Sequence, residues 1–235
     1  MQQQIITYNI NMNGRMYDPS GENGNEPQGN SSGNHGSPGG GGSVEVKPIG
    51  NGKYEVVNGL NDGGNTVYVV DDQGNRTGEI LGYTLTPYTF YNEKGVFVES
   101  AIIDMNDYSG QDFWDEFLSD TPSLFTYIFD KENGGRRGGY YDFKAHNPNK
   151  TYDGMLVDFG FGDYIATPRD IGNFTAGYLS GVNGLTYEST RSAFDAYQIL
   201  TDGHIEPPVS RSAQNIGYNW GFHIFHTYWM NLLFH

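Results

Sequence analysis

The sequence predicts an α+β domain in which an antiparallel β-meander comes first and a helical region follows. Two observations predict it. From Val44 to about Met105 the chain is a series of short β-branched or aromatic runs separated by Gly, Asn and Asp, the pattern of strands joined by tight turns. After Asp107 apolar residues recur at helical spacing behind Ser, Thr and Thr-Pro starts, as at helix N-termini. Strands in one run and helices in the next is the α+β order.

Residues 20–43 are dominated by Gly, Asn, Ser and Pro and end in Gly39-Gly40-Gly41-Gly42-Ser43. Such a stretch buries too little apolar surface to offset its ordering entropy, so it reads as a flexible linker. The folded domain is expected over 44–235. Tyr54-Glu55-Val56-Val57, Thr66-Val67-Tyr68-Val69-Val70 and Glu79-Ile80-Leu81-Gly82-Tyr83 are its clearest strands, and Asn61-Asp62-Gly63-Gly64 and Asp72-Gln73-Gly74-Asn75 its clearest turns. Thr89-Phe90-Tyr91, a turn at Asn92-Glu93-Lys94-Gly95 and Val96-Phe97-Val98 read as a hairpin leading into Ala101-Ile102-Ile103.

Ser109 with Asp112 then caps a helix carrying Phe113, Trp114 and Phe117. Thr121-Pro122 opens a second, with Leu124, Phe125, Ile128 and Phe129 behind it. Residues 131–165 are rich in Gly and Asn and read as loop with room for short strands. Thr167-Pro168 and Thr186 open two more helices, the latter carrying Ala193, Phe194, Tyr197 and Leu200 and stopping at Gly203. Pro207-Pro208 begins a last irregular or helical part, in which Phe222 to Phe234 reads as a terminal core or capping helix.

The roughly 190 residues beyond the linker suffice for one domain with a sizeable core. Aromatics make up 15% of the chain, so that core rests on Tyr and Phe. Thirteen basic against 28 acidic residues give a net charge of −15, which repels phosphate backbones and disfavours a nucleic-acid ligand unless a local basic patch survives. The absence of cysteine excludes disulfides, thiolate metal sites and cysteine nucleophiles. No apolar run is long enough to span a membrane. No phosphate loop, nucleophile elbow or calcium loop is present, and no cofactor is expected.

Two phrases concentrate chemistry: Tyr140-Tyr141-Asp142-Phe143-Lys144 and Pro168-Arg169-Asp170-Ile171-Gly172-Asn173-Phe174. On an extended segment Asp142 and Lys144 point to one side, where the lysine can bind an oxyanion and the carboxylate activate water. Arg136 and Arg137, among glycines, form a cationic loop suited to substrate, with Tyr141 and Phe174 as aromatic contacts. Asp170 fits a capping box with Thr167 and is also the second carboxylate within the two phrases. Asn173 is a poor helix residue unless its amide has a partner. Gly172, Gly177 and Gly181 point to close helix packing. His223 and His226 would share a helical face, but no third ligand is marked and no metal is assigned. His146 and His204 are loop residues that could serve as bases.

Ile10-Asn11-Met12-Asn13-Gly14-Arg15-Met16-Tyr17-Asp18-Pro19 resembles the end of the core repeat region of Rhs/YD-repeat proteins, so residues 1–19 read as a remnant of that core. The usual Gly-Arg-Phe-Leu-Ser-Pro continuation is missing after Pro19. From about Lys53 to Gly221 the chain resembles the C-terminal region of Rhs-type proteins. Tyr141-Asp142-Phe143-Lys144 and the Gly172-to-Gly177 phrase are similar to the two motifs of the polymorphic toxin type 44 domain. The resemblance implies a secreted antibacterial toxin, delivered into a target bacterium by a contact-dependent system and neutralised by a cognate immunity protein. The leading expectation is a hydrolase of the bacterial cell envelope, acting on peptidoglycan, because an acidic, aromatic-rich surface suits a glycan or peptide. Cleavage of a glycosidic bond would need paired carboxylates, and Asp142 and Asp170 are the pair within the motifs. The alternatives are a nuclease, with Lys144, Arg136 and Arg137 on phosphate, and a non-catalytic partner-binding module.

Overall fold

The computed structural model describes residues 41–130, 132–135 and 138–234. The expected repeat-core remnant, the linker up to residue 40, and Arg136 and Arg137 lie outside the described residues. The fold is α+β, with strands filling the N-terminal half and helices following. Strands β1 (Val44–Gly50), β2 (Lys53–Gly59), β3 (Thr66–Val70) and β4 (Arg76–Tyr83) come first. β5 (Ile102–Asp104) follows, and β6 (Gly154–Asp158) and β7 (Asp163–Ala166) join after three helices.

The connectivity is richer than a simple meander. The sheet order is β4-β3-β1-β2-β5-β6-β7, with β1 antiparallel to β2 and parallel to β3. Asn51 and Gly52, both at positive φ (54° and 71°), make the tight turn from β1 to β2. The next connection, 60–65, must then cross the chain entering β1. It is held there by hydrogen bonds from Leu60 N–H to the Ser43 carbonyl (2.8 Å), Ser43 N–H to Asp62 Oδ1 (2.8 Å) and Gly63 N–H to the Gly41 carbonyl (3.0 Å). A Cβ on Gly42 would overlap the Leu60 carbonyl, and one on Gly41 the Pro87 carbonyl. Gly41, Gly42 and Ser43, read as linker, are therefore buried parts of the fold.

The sheet curls until its edges meet. Thr84, just past β4, bridges to Ile165 of β7, and the Leu85 N–H donates to the Ile165 carbonyl at 2.9 Å. Val44 and Val46, Val67 and Val69, Val56, Phe90, Ile103 and Ile165 form one buried cluster. Side chains from β3 across to β7 can pack together in this way on the concave face of a curled sheet. The β1 and β3 pairs show the two-residue strand period. On β6 the same period sends Leu156 to this cluster and Met155 and Val157 to a second one. A strand covered on both faces reads as a continuous apolar run, which is why no alternation marks β6 within 131–165.

The second cluster lies among helices α1 (Ser109–Ser119), α4 (Pro168–Val182) and α6 (Pro208–Phe234) and strand β6. Trp114 packs edge-on against Phe174 (ring centroids 5.2 Å) and Tyr178 (5.1 Å), and Phe159 lies 4.1 Å from Phe174. Each such pair contributes roughly 0.5–1.5 kcal/mol beyond its burial. Thr167 caps α4 and Thr186 caps α5 (Tyr187–Asp202), which Gly203 closes at φ 77°, as the spacing predicts.

Two other starts shift. Ser109 is already helical, and Asp107 takes its N–H (3.0 Å) and hydroxyl (2.6 Å) in place of the expected Ser109–Asp112 box. α2 (Leu124–Phe129) is capped by Ser123 rather than opened at Thr121-Pro122, and it buries Tyr127 while Phe125 and Phe129 stay exposed.

Glycines set the distance between α4 and α6. Added Cβ atoms at Gly177 and Gly181 would overlap the Gln214 and Tyr218 carbonyls, and at Gly217 and Gly221 the Phe174 and Tyr178 carbonyls. Gly172, expected to share this role, has nothing within 4 Å of its would-be Cβ. Past Gly221 the helix is mostly exposed, though Phe225 still packs against Gly184. Ile224, Tyr228, Trp229, Met230 and Leu232 are exposed, so of the core or capping helix expected here the stretch is helical but not core. Among the described residues no helix is long and apolar enough to cross a membrane.

Candidate functional site

The Thr167 hydroxyl accepts the Asp170 N–H at 3.3 Å, and the Asp170 carboxylate faces the Thr167 N–H at 3.5 Å, completing the capping box. Arg169 turns inward beside it and is 1% exposed. Its guanidinium donates to Asp170 Oδ1 (2.9 Å), to the Tyr88 carbonyl (2.8 Å) and to the Tyr91 carbonyl. Asp170 is 0% exposed with both oxygens engaged. Expected among the catalytic carboxylates, it instead rivets α4 to the 88–91 segment.

The first phrase is also local structure in part. Asp142 caps the single-turn helix α3 (Phe143–His146), accepting the N–H groups of Gly138 (2.9 Å) and Ala145 (3.3 Å). The segment is therefore a helical turn and not extended, and residues two apart on a turn do not face each other. Lys144 pairs with Glu93 at 3.7 Å. Phe174, expected at the substrate, is a fully buried core ring. Tyr141 is buried as well, its hydroxyl donating to the Asp120 carbonyl at 2.9 Å.

Asn173 leads to something the sequence did not mark. Its Oδ1 lies 3.5 Å from Gln214 Nε2, and Gln214 Oε1 accepts from Arg191 Nη1 at 2.5 Å. Arg191 Nη2 and Arg211 Nη2 both donate to Asp195 Oδ1, at 3.0 and 3.1 Å, which also takes the Glu206 N–H at 3.2 Å. Glu206 sits within this knot, 7% exposed, with Ser210 and Gln214 hydrogen-bonding to its carboxyl. Burial pushes that carboxyl above its ordinary range. Ser210, Gln214, Arg191 and Lys144 pull the other way without cancelling the effect. Lys144 from α3 and Asn173 from α4, one from each phrase, thus both connect to Glu206, Lys144 through its charge and Asn173 through Gln214.

No protein-family model, no curated protein and no solved structure matches the chain.

Glu206, Gln214 and Arg191 are the residues sequence reasoning missed. Arg191 and Asp195 have ion-pair spacing on a helix, whereas Gln214 stands on α6 without such a mark. Glu206 stands alone before two prolines with no pattern around it. A carboxyl whose pKa is raised by burial and which is flanked by amide and hydroxyl groups is suited to proton transfer. Among the described residues no group of three or more His, Asp or Glu could hold a metal. His223 stacks on Trp220 at 5.8 Å.

Proposed function

We propose that this domain is the toxin of a polymorphic toxin system and a hydrolase of the bacterial cell envelope, with Glu206 as its proton-transferring group. The observation that carries the chemistry is the buried Glu206 carboxyl, raised above its ordinary range among groups from four helices. In this reading Glu206 delivers a proton to the leaving group and then takes one from water. Lys144, half-exposed and paired with Glu93, attracts the Glu206 carboxylate through its charge and in this reading holds developing negative charge. Asn173 and Gln214 orient the scissile group through their amides.

The envelope substrate and the toxin role rest on the similarity of the two phrases to type 44 motifs and on the net charge of −15, which opposes a phosphate backbone. Arg191 and Arg211 both turn to Asp195 rather than outward, which also argues against a phosphate site. A secreted toxin of this kind requires an immunity partner, and an acidic surface favours one with a basic face.

The test is release of soluble fragments from purified peptidoglycan, run beside RNA and DNA. Wall release that Glu206→Gln abolishes is the expected result, with toxicity only when the protein is exported to the periplasm. Degradation of nucleic acid without wall release would replace the hydrolase reading by a nuclease. Inertness in both compartments would leave a non-catalytic module.

A further inference from the structure

A concave site lies apart from the Glu206 knot, where the end of α1, Pro122, Thr126 of α2, Asn133, Tyr140 and Tyr141 line a cavity of about 440 Å³. That volume falls in the roughly 300–1,000 Å³ range of small-ligand pockets. Glu116 and Asp120, four apart near the end of α1, line it together with Tyr140, Tyr141, Thr126 and Asn133.

Tyr140 is 50% exposed, yet its ring is fixed. The hydroxyl donates to Glu116 Oε1, and the ring stands at 89° to Tyr141 with centroids 5.0 Å apart. Tyr141 is anchored in turn by its bond to the Asp120 carbonyl and by packing on Phe117 (5.5 Å). An exposed aromatic face held in place without a ligand is a preorganised stacking platform. Around it stand two carboxylates, a hydroxyl and an amide, and no described lining residue is cationic. Carboxylates accept from hydroxyl and amide N–H groups and repel phosphate.

We infer that this cavity is a glycan-binding subsite, taking an uncharged or amino sugar with its apolar face on Tyr140 and its hydroxyl or acetamido donors on Glu116 and Asp120. The choice of an N-acetylated glycan rests on the envelope reading above. The geometry of ring and carboxylates stands without it.

The experiment titrates the full chain with chitotetraose, followed by amide chemical-shift changes, with cellotetraose and a short oligoribonucleotide as comparisons. Saturable chitotetraose binding with shifts at Asn133, Tyr140 and Tyr141 is expected. Tyr140→Ala and Glu116→Gln should each weaken it about tenfold. Absence of chitotetraose binding, binding indifferent to both cavity variants, or tighter binding of the oligoribonucleotide would overturn the subsite. Because Tyr140 and Glu116 are solvent-facing, one variant failing to fold still leaves the other to decide. Binding without peptidoglycan turnover would sink the hydrolase and keep the subsite. Turnover with no chitotetraose binding would do the reverse.

Discussion

Glu206 shows how one residue couples function to stability. Its folded-state pKa is raised, so its contribution to stability is fully present below the unfolded carboxyl's value of 4.5 and is lost as pH rises through the folded value. Above that point the buried charge costs stability. Glu206→Gln removes the charge and keeps the shape. Its Tm should match the parent at acid pH and exceed it by about 2 °C or more at neutral pH, while turnover falls by roughly 10²–10⁴. Thermal melts across pH check this, and a variant less stable than the parent at pH 7 would contradict it. Removing the charge of Asp170 should instead cost stability. Asp170→Asn keeps a capping side chain but leaves buried Arg169 without its anion, and should cost about 3 kcal/mol in urea unfolding. A cost near 1 kcal/mol, the ordinary value of a cap alone, would show that the Arg169 pair adds nothing. Lys144→Met removes an exposed pair with Glu93 and a minor attraction to Glu206, so stability should change by less than about 1 kcal/mol. Turnover should fall all the same.

At the scale of elements, the α4–α6 contact is set by what glycine lacks. Gly217→Ala gains about 1 kcal/mol of helix propensity, but its Cβ would overlap the Phe174 carbonyl. The net expectation is a loss of about 2 kcal/mol, typical of overpacking. Gly172→Ala places its Cβ in open space and should stabilise by up to about 1 kcal/mol. Opposite signs for these two changes, read by chemical denaturation, would confirm that α6 meets α4 closely at Gly217 and that Gly172 takes no part. The entry to β1 gives a comparable test. A chain beginning at Val44 loses the bonds from Gly41 and Ser43 to the 60–65 crossing. It should therefore melt several degrees below one beginning at Gly41.

For the whole molecule the seam between β4 and β7 decides whether the sheet is closed. The Leu85 N–H spans it to Ile165, and in a closed sheet that amide exchanges as slowly as those of central β1. Local opening would expose it to solvent far more often than global unfolding does. Fast exchange at Leu85, with Val46 protected, would show that β7 peels away. The acidic surface acts at the same scale, since association with a basic partner should slow as salt screens the charge.

Local chemistry was legible from the sequence wherever it depends on neighbours along the chain. The order of strands and helices, the Thr167 and Thr186 caps and the Gly203 stop follow from residue type and spacing alone. The structure also bears out the reading of Gly177 and Gly181 as close-packing residues, because glycine spacing on a helix is local information. The tertiary structure decided what depends on residues far apart. β1 lies between β2 and β3 because a six-residue crossing found its anchor in Gly41–Ser43, which composition alone reads as linker. Asp170 became a rivet because Arg169 could reach carbonyls some 80 positions earlier. Glu206 has no motif around it. Its raised carboxyl arises from burial beside Ser210 and Gln214 of α6 and near Arg191 of α5, and burial is a property of the packed chain, not of any stretch of it.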